Sequence, residues 1–149
     1  MIQREITKKA IYLLLIIFLI SLVSANSWVE LDGYSSYINL SNSPILDIYQ
    51  KEFTISLWLN PKNITNNVLP RIFEKGTGFI AIMGNTSNPR HSKIAMELAN
   101  ETGENIVEFW SNDKILVNNW QHVLFTYDGI NGAWYINGNK SETTKLEIK

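Results

Sequence analysis

The chain has 149 residues, which is the length of one ordinary domain. It has no cysteine and only two histidines, which excludes disulfide frameworks, thiol catalysis and cysteine-bound zinc. Its 13 basic and 14 acidic side chains give a formal net charge of −1. This balance lacks the basic excess that binding to a phosphate backbone requires, so nucleic acid is not an expected partner.

Residues 1–25 have the pattern of a signal peptide. A mainly basic stretch at 4–9 precedes an uncharged apolar run at 10–20, and small residues at 24 and 25 offer a cleavage site. The whole uncharged run, residues 10–26, is somewhat shorter than the roughly 20 residues that span a bilayer, which favours cleavage over an uncleaved membrane anchor. Both alternatives predict that residues 26–149 lie outside the cytoplasm, in a secreted or cell-surface protein.

After residue 26 the chain shows the two-residue alternation of short β-strands. The clearest case is 53–59, where apolar side chains occupy one face and Thr54, Ser56 and Trp58 occupy the other. The Asn-Gly pair at 137–138 is a strong hairpin signal. No segment keeps the apolar period of a helix, so the pattern predicts an all-β sandwich or barrel. The predicted strands are residues 28–31, 37–40, 53–59, 71–75, 78–83, 93–98, 105–110, 120–127, 132–137 and 140–148.

Three segments in chain order resemble a known family. They are Leu-Asp-Gly at 31–33 with Tyr-Ile-Asn-Leu at 37–40, the strand at 53–61, and the segment 119–129 followed by Trp-Tyr-Ile-Asn-Gly at 134–138. Together they resemble laminin G-like domains of the concanavalin A-like lectin/glucanase superfamily. The resemblance implies a jelly-roll sandwich of two antiparallel sheets in secreted or cell-surface proteins that bind sugars or other proteins.

Such domains usually continue past the Asn-Gly hairpin to closing strands. We therefore expect residues 26–149 to be a laminin G-like domain that is truncated at its C-terminus. Either the chain is a fragment of a longer one with further domains, which we favour, or a strand from a partner fills the gap. An incomplete sheet would leave backbone groups unpaired at an edge.

Glucanases of this superfamily need two carboxylates that flank the scissile bond. Their strand motif resembles Glu-x-Asp-x-x-Glu, and its nearest match here is Glu30 with Asp32, where Ser35 replaces the last glutamate. Glu104 and Glu108 share one face of a predicted strand, but no third acid follows them. Charged groups on such a face usually meet water. We therefore expect a noncatalytic domain.

Tryptophan rings can stack on the apolar face of a sugar, whose hydroxyls then need polar partners. Trp110 and Trp28 lie beside polar turns and are expected to be exposed. Trp110 is followed by Asn112 and Asp113, so these three residues, with Trp28, are the predicted ligand-binding residues. Three tryptophans have apolar sequence neighbours and are expected in the core: Trp58, Trp120 and Trp134.

The resemblance also implies calcium as a cofactor, an ion that prefers several oxygen ligands from carboxylates, amides and carbonyls. Asp32 and Asp128 each precede a glycine in a loop and are the predicted metal ligands. Asp-Gly is also an ordinary turn pair, which better explains Asp128. His122 lies in a strand that is apolar on both faces, so we expect a structural, hydrogen-bonded histidine.

These expectations lead to one leading hypothesis, a noncatalytic recognition module that binds an extracellular glycan or protein through loops at one edge of the sandwich. The alternative is a structural or adhesion spacer domain with no small ligand. A glycoside hydrolase-like domain is a third hypothesis. A membrane is an expected partner only through an uncleaved N-terminal segment.

Overall fold

The computed structural model describes residues 27–33, 35–40, 52–64, 69–76, 78–82, 84, 86–99 and 106–148. The chain divides into two compact units, residues 1–38 and 39–149. The predicted signal peptide at 1–25 and the glutamate at 104 lie outside the described residues. In the ranges given above, no helix is long and apolar enough to cross a membrane.

All regular structure in the described residues belongs to the second unit and consists of nine strands. They are β1 (Phe53–Leu59), β2 (Arg71–Lys75), β3 (Gly78–Ile82), β4 (Lys93–Leu98), β5 (Ile106–Lys114), β6 (Gln121–Tyr127), β7 (Gly132–Ile136), β8 (Asn139–Ser141) and β9 (Thr143–Ile148). One sheet has the strand order β1-β6-β7-β8 and the other β2-β3-β4-β5-β9. Every neighbouring pair of strands is antiparallel.

The two sheets pack face to face through aromatic side chains. Phe109 of β5 lies 5.6 Å from Phe125 of β6, measured between ring centroids, and Phe125 lies 4.9 Å from Trp134 of β7. The indole Nε1 of Trp134 donates a hydrogen bond of 2.8 Å to the backbone carbonyl of Phe109. Each of these rings is fully buried, which stabilises the fold by roughly 1.5–3 kcal/mol per side chain. The all-β sandwich is therefore confirmed.

Gly132, the first residue of β7, lies against two of these rings. A Cβ atom there would lie 2.5 Å from Phe125 and 2.7 Å from Phe109, closer than carbon atoms can approach. The absence of a side chain at this position lets β7 pack onto the core.

The predicted strand at 140–148 is wrong in one respect, because it forms two strands in different sheets. β8 pairs with β7 and β9 pairs with β5, with Glu142 between them. The preceding hairpin is as predicted, since Asn137 and Gly138 have φ angles of 50° and 79°. Positive φ at both central residues is characteristic of the type I′ turn. The sequence pattern identified the hairpin and missed the change of sheet.

A buried serine joins the two sheets at this crossing. The hydroxyl of Ser141 accepts hydrogen bonds from the backbone N–H groups of Asn112 (3.1 Å) and Asp113 (3.0 Å). These N–H groups lie at a β-bulge. Between the pairs Ala95–Trp110 and Lys93–Lys114, β5 has more residues than β4. The hydroxyl is thus the acceptor for the Asp113 N–H, and it shares the Asn112 N–H with the backbone carbonyl of Glu142 at 2.8 Å.

The predicted strands at 28–31 and 37–40 are wrong, because the described residues 27–33 and 35–40 contain no strand. Trp28 and Tyr37 are exposed there. A strand exists through hydrogen bonds to a neighbouring strand, and alternation in the sequence does not supply that neighbour. A short alternating segment alone therefore does not specify a strand.

Candidate ligand-binding face

The outer face of the four-stranded sheet is accessible in the described residues, and we call it the open face. Side chains alternate along each strand, so every second residue of β1, β6, β7 and β8 points away from the core. None of these side chains is buried. The open face consists of Thr54, Ser56, Trp58, His122, Leu124, Thr126, Ala133, Tyr135 and Lys140.

The strand register arranges these residues in rows across the sheet. Trp58 lies opposite His122 at one end, and Thr54 lies opposite Thr126 at the other. Four residues separate the two rows along each strand, which corresponds to about 14 Å at the usual rise per residue. The open face therefore has an aromatic end and a hydroxyl-bearing end.

At the aromatic end, the Trp58 side chain is 65% exposed. Its ring centroid lies 5.3 Å from that of His122, with an angle of 54° between the rings. The Oγ atom of Ser56 and the Nε2 atom of His122 form a hydrogen bond of 2.8 Å. The backbone N–H of His122 donates to Oδ1 of Asn137 (3.0 Å). His122 is thus hydrogen-bonded, as predicted.

The core positions predicted for Trp58 and Trp120 are wrong, since Trp120 is also 48% exposed. Trp134 alone of the three is in the core. The signal for Trp58 was present in the sequence, because alternation puts it on the face of Thr54 and Ser56 rather than with its apolar sequence neighbours.

At the other end of the open face, an exposed depression of about 790 Å³ lies between the β6–β7 turn and the β8–β9 crossing. Thr126 and Ala133 come from the sheet itself, and Thr143 and Thr144 come from the start of β9. Charged and amide groups complete the lining: Asp128, Asn131, Lys140 and Glu142. This mixture of donors and acceptors suits a polar ligand that forms several hydrogen bonds.

Asp128 is held by its own turn. Its Oδ1 atom accepts hydrogen bonds from the backbone N–H groups of Asn131 (2.6 Å) and Ile130 (2.9 Å). The bond from the Asn131 N–H is the main reason why the pKa of the Asp128 carboxyl lies below its usual value. The structure therefore gives Asp128 the turn role that the sequence analysis favoured for it.

Asp32, in the other unit, has a similar local role. Its Oδ1 atom accepts from the backbone N–H groups of Ser35 and Ser36, each at 2.9 Å, and its Oδ2 atom accepts from the Ser35 hydroxyl at 2.8 Å. Within the described ranges, no three histidine, aspartate or glutamate side chains form a group that could hold a metal ion. Calcium binding by Asp32 or Asp128 stays a prediction.

The predicted exposure of Trp110 is wrong, because its side chain is only 4% exposed. Its Nε1 donates to Oε2 of Glu108 (2.6 Å), and the Arg90 guanidinium lies 5.3 Å above its ring. The loop before β4 brings Arg90 onto this ring in a cation–π contact. The ring face that a sugar would need is therefore occupied by the protein.

The polar residues after Trp110 belong to β5 rather than to a turn. Asn112 and Asp113 are exposed, and the Asn112 Oδ1 atom accepts from the Lys93 ammonium at 3.0 Å. The structure thus does not combine them with an accessible Trp110 ring. Trp28 is 61% exposed, as predicted, and lies in the other unit.

Two carboxylates meet on the outer face of the five-stranded sheet. Glu97 of β4 lies opposite Glu108 of β5. Burial is the main cause that raises the pKa of Glu97, the charge of Glu108 raises it further, and Arg71 opposes the shift. Since Glu108 also accepts the Trp110 hydrogen bond, this carboxylate is part of the structure around the buried tryptophan.

The described residues define an all-β sandwich of two antiparallel sheets with one open sheet face. A laminin G family model, described as concanavalin A-like lectin/glucanases superfamily, matches residues 32–148. The chain belongs to this family, as its sequence resemblance predicted. Searches of curated proteins and of solved structures found no match.

Proposed function

We propose that this chain is a noncatalytic recognition module of a secreted or cell-surface protein and that it binds an extracellular glycan or protein. The observation that supports this proposal most is the polar depression between the β6–β7 turn and the β8–β9 crossing. Family membership is a second support, because domains of this superfamily are commonly ligand-binding modules.

Within the depression, Lys140 is the strongest hydrogen-bond donor. Its side chain is exposed on the edge strand β8, and its ammonium carries three donors. Glu142 and Thr144 provide exposed acceptors nearby. A ligand with hydroxyl and carbonyl groups would match this set, since each of its polar groups would find a partner of the opposite kind.

The carboxylates of the depression argue against glycoside hydrolysis. That reaction needs one carboxyl group that stays protonated as a general acid and a second one that stays ionised. Asp128 has a lowered pKa and accepts hydrogen bonds from its own turn, which makes it a poor acid. Both carboxylate oxygens of Asp128 accept hydrogen bonds within its own turn, which makes it a poor nucleophile as well, so Glu142 lacks a suitable partner among the residues that line the depression.

A binding experiment with the full chain tests the proposal. The chain is applied to a glycan array and to an array of extracellular matrix proteins, with and without millimolar calcium because Asp32 and Asp128 are predicted ligands. Lys140→Ala should weaken binding about tenfold, which corresponds to about 1.4 kcal/mol. Lys114→Ala is the matched control, since this exposed lysine ends β5 and does not line the depression.

Two outcomes would contradict the proposal. Absence of saturable binding on both arrays would favour the alternative, a structural or adhesion spacer. Binding that Lys140→Ala and Lys114→Ala weaken equally would mean that general charge, rather than the depression, holds the ligand.

A further inference from the structure

We propose that the aromatic end of the open face binds a neutral saccharide, with the Trp58 indole stacked on a sugar ring and with Ser56 and His122 at its hydroxyls. The proposal rests on the recognition function proposed above. It goes further because it assigns a second site, outside the depression, and names the class of ligand.

The exposure of Trp58 is the first argument. Its ring is among the largest apolar surfaces that a residue can offer, and the residue stays 65% exposed although it lies inside β1. The ring also rests against the His122 ring, with centroids 5.3 Å apart. This contact restricts its rotation before a ligand arrives, so less side-chain entropy is lost on binding.

The polar neighbours of Trp58 are the second argument. Ser56 is exposed and His122 is half-buried, and their mutual hydrogen bond of 2.8 Å uses only one ring nitrogen of the histidine. The Nδ1 atom of His122 forms no hydrogen bond within the described residues. A stacked sugar would thus find a hydroxyl and an imidazole nitrogen beside the indole, both able to bond its own hydroxyls.

The charge of this surface is the third argument. The part of the open face that β1 and β6 contribute carries no carboxylate, lysine or arginine: Thr54, Ser56, Trp58, His122, Leu124 and Thr126. A surface that is uncharged but rich in hydrogen-bonding groups complements an uncharged ligand with many hydroxyls. An acidic polysaccharide or a phosphorylated ligand would instead need basic side chains.

The dimensions of the open face favour a chain of sugars over a single one. Thr126 lies about 14 Å along β6 from the row of Trp58 and also lines the depression. Trp120, also partly exposed, lies two residues before His122 in the sequence. An oligosaccharide stacked on Trp58 would therefore contact more of the face than a disaccharide.

Calorimetric titration of the full chain with cellohexaose, mannohexaose and chitohexaose tests the inference. At least one of them should bind, and more tightly than its disaccharide. Trp58→Ala should weaken this binding at least tenfold, and Trp58→Phe should weaken it less, because a smaller ring still stacks. Tyr37→Ala is the matched control, since Tyr37 is an exposed aromatic residue in the other unit.

The possible outcomes separate this inference from the proposed function. If an oligosaccharide or protein binds and Trp58→Ala leaves its affinity unchanged, the inference fails and the recognition function stands. If only a protein or only an acidic glycan binds, the ligand class is wrong. If nothing binds on any array or in any titration, both proposals fail. Thermal melting of Trp58→Ala should match the wild type, which shows that lost binding is not lost folding.

Discussion

The outer faces of the two sheets differ although each carries a strand tryptophan. On the four-stranded sheet, Trp58 is largely exposed among hydroxyl groups. On the five-stranded sheet, Trp110 is buried beneath Arg90, and Ala81 and Ala95 in the same row are buried as well. The difference shows that alternation determines which face a side chain is on, whereas the connecting segments determine whether that face meets water.

The comparison has a functional consequence. A covered sheet face is closed to ligands, and its tryptophan stabilises the fold. An open sheet face leaves its tryptophan available for binding. The two tryptophans should therefore respond to mutation in opposite ways, one in stability and the other in ligand affinity.

The largest expected effect is on the outer face of the five-stranded sheet around Trp110, which we call the covered face. Trp110→Ala should lower the free energy of unfolding by about 3–5 kcal/mol, because it removes a buried ring and its hydrogen bond to Glu108. Trp58→Ala should change it by less than about 0.5 kcal/mol, since the ring is mostly in water. Urea denaturation of the full chain measures both values. Similar losses for the two variants would break the comparison.

The sequence predicted the strands that alternate strongly. The predicted bounds 53–59, 71–75 and 93–98 are those of β1, β2 and β4. In β1 the period of two is supported by β-branched and aromatic residues and matches the alternating burial, so local preference and burial agree. The same alternation puts Trp58 on the polar face of β1, but its apolar sequence neighbours led to the wrong prediction of a core position.

Other features depend on contacts between distant residues and could not be read from a local pattern. Arg90 covers Trp110 from 20 positions away, and nothing near Trp110 in the sequence indicates this contact. The change of sheet at Glu142 depends on the free edges of both sheets, which exist only after the sandwich has formed. The depression depends on the same crossing, so its lining residues were missed, apart from Asp128.

An intermediate effect is expected where the two sheets are joined. Ser141→Ala should lower the free energy of unfolding by about 1–3 kcal/mol, because it removes the acceptor of the Asp113 N–H and leaves the Asn112 N–H with only the backbone carbonyl of Glu142. Ser56→Ala on the open face is the matched control and should have a smaller effect, since water can replace the exposed hydroxyl. Equal effects in urea denaturation would argue against a structural role of the crossing.

The smallest expected effect is a gain in stability on the covered face. Burial and the charge of Glu108 raise the pKa of Glu97 above its ordinary value of 4.5. The native state therefore binds this proton more tightly than the unfolded state, so the contribution to stability is full below pH 4.5 and is lost as the pH rises through the raised pKa. At neutral pH the ionised Glu97 carboxylate is partly desolvated beside a like charge, which destabilises the native state.

Glu97→Gln removes this charge and should raise the Tm by roughly 1–3 °C at neutral pH. The gain should disappear below pH 4.5, where the wild-type carboxyl is already neutral. Glu52→Gln is the control, because Glu52 is exposed. This variant should melt at the same temperature as the wild type. Thermal melts of the three proteins at neutral and acidic pH measure the difference. A gain that persists in acid would mean that the glutamine packs better on this face, and that the carboxylate pair is not what limits the stability of the covered sheet.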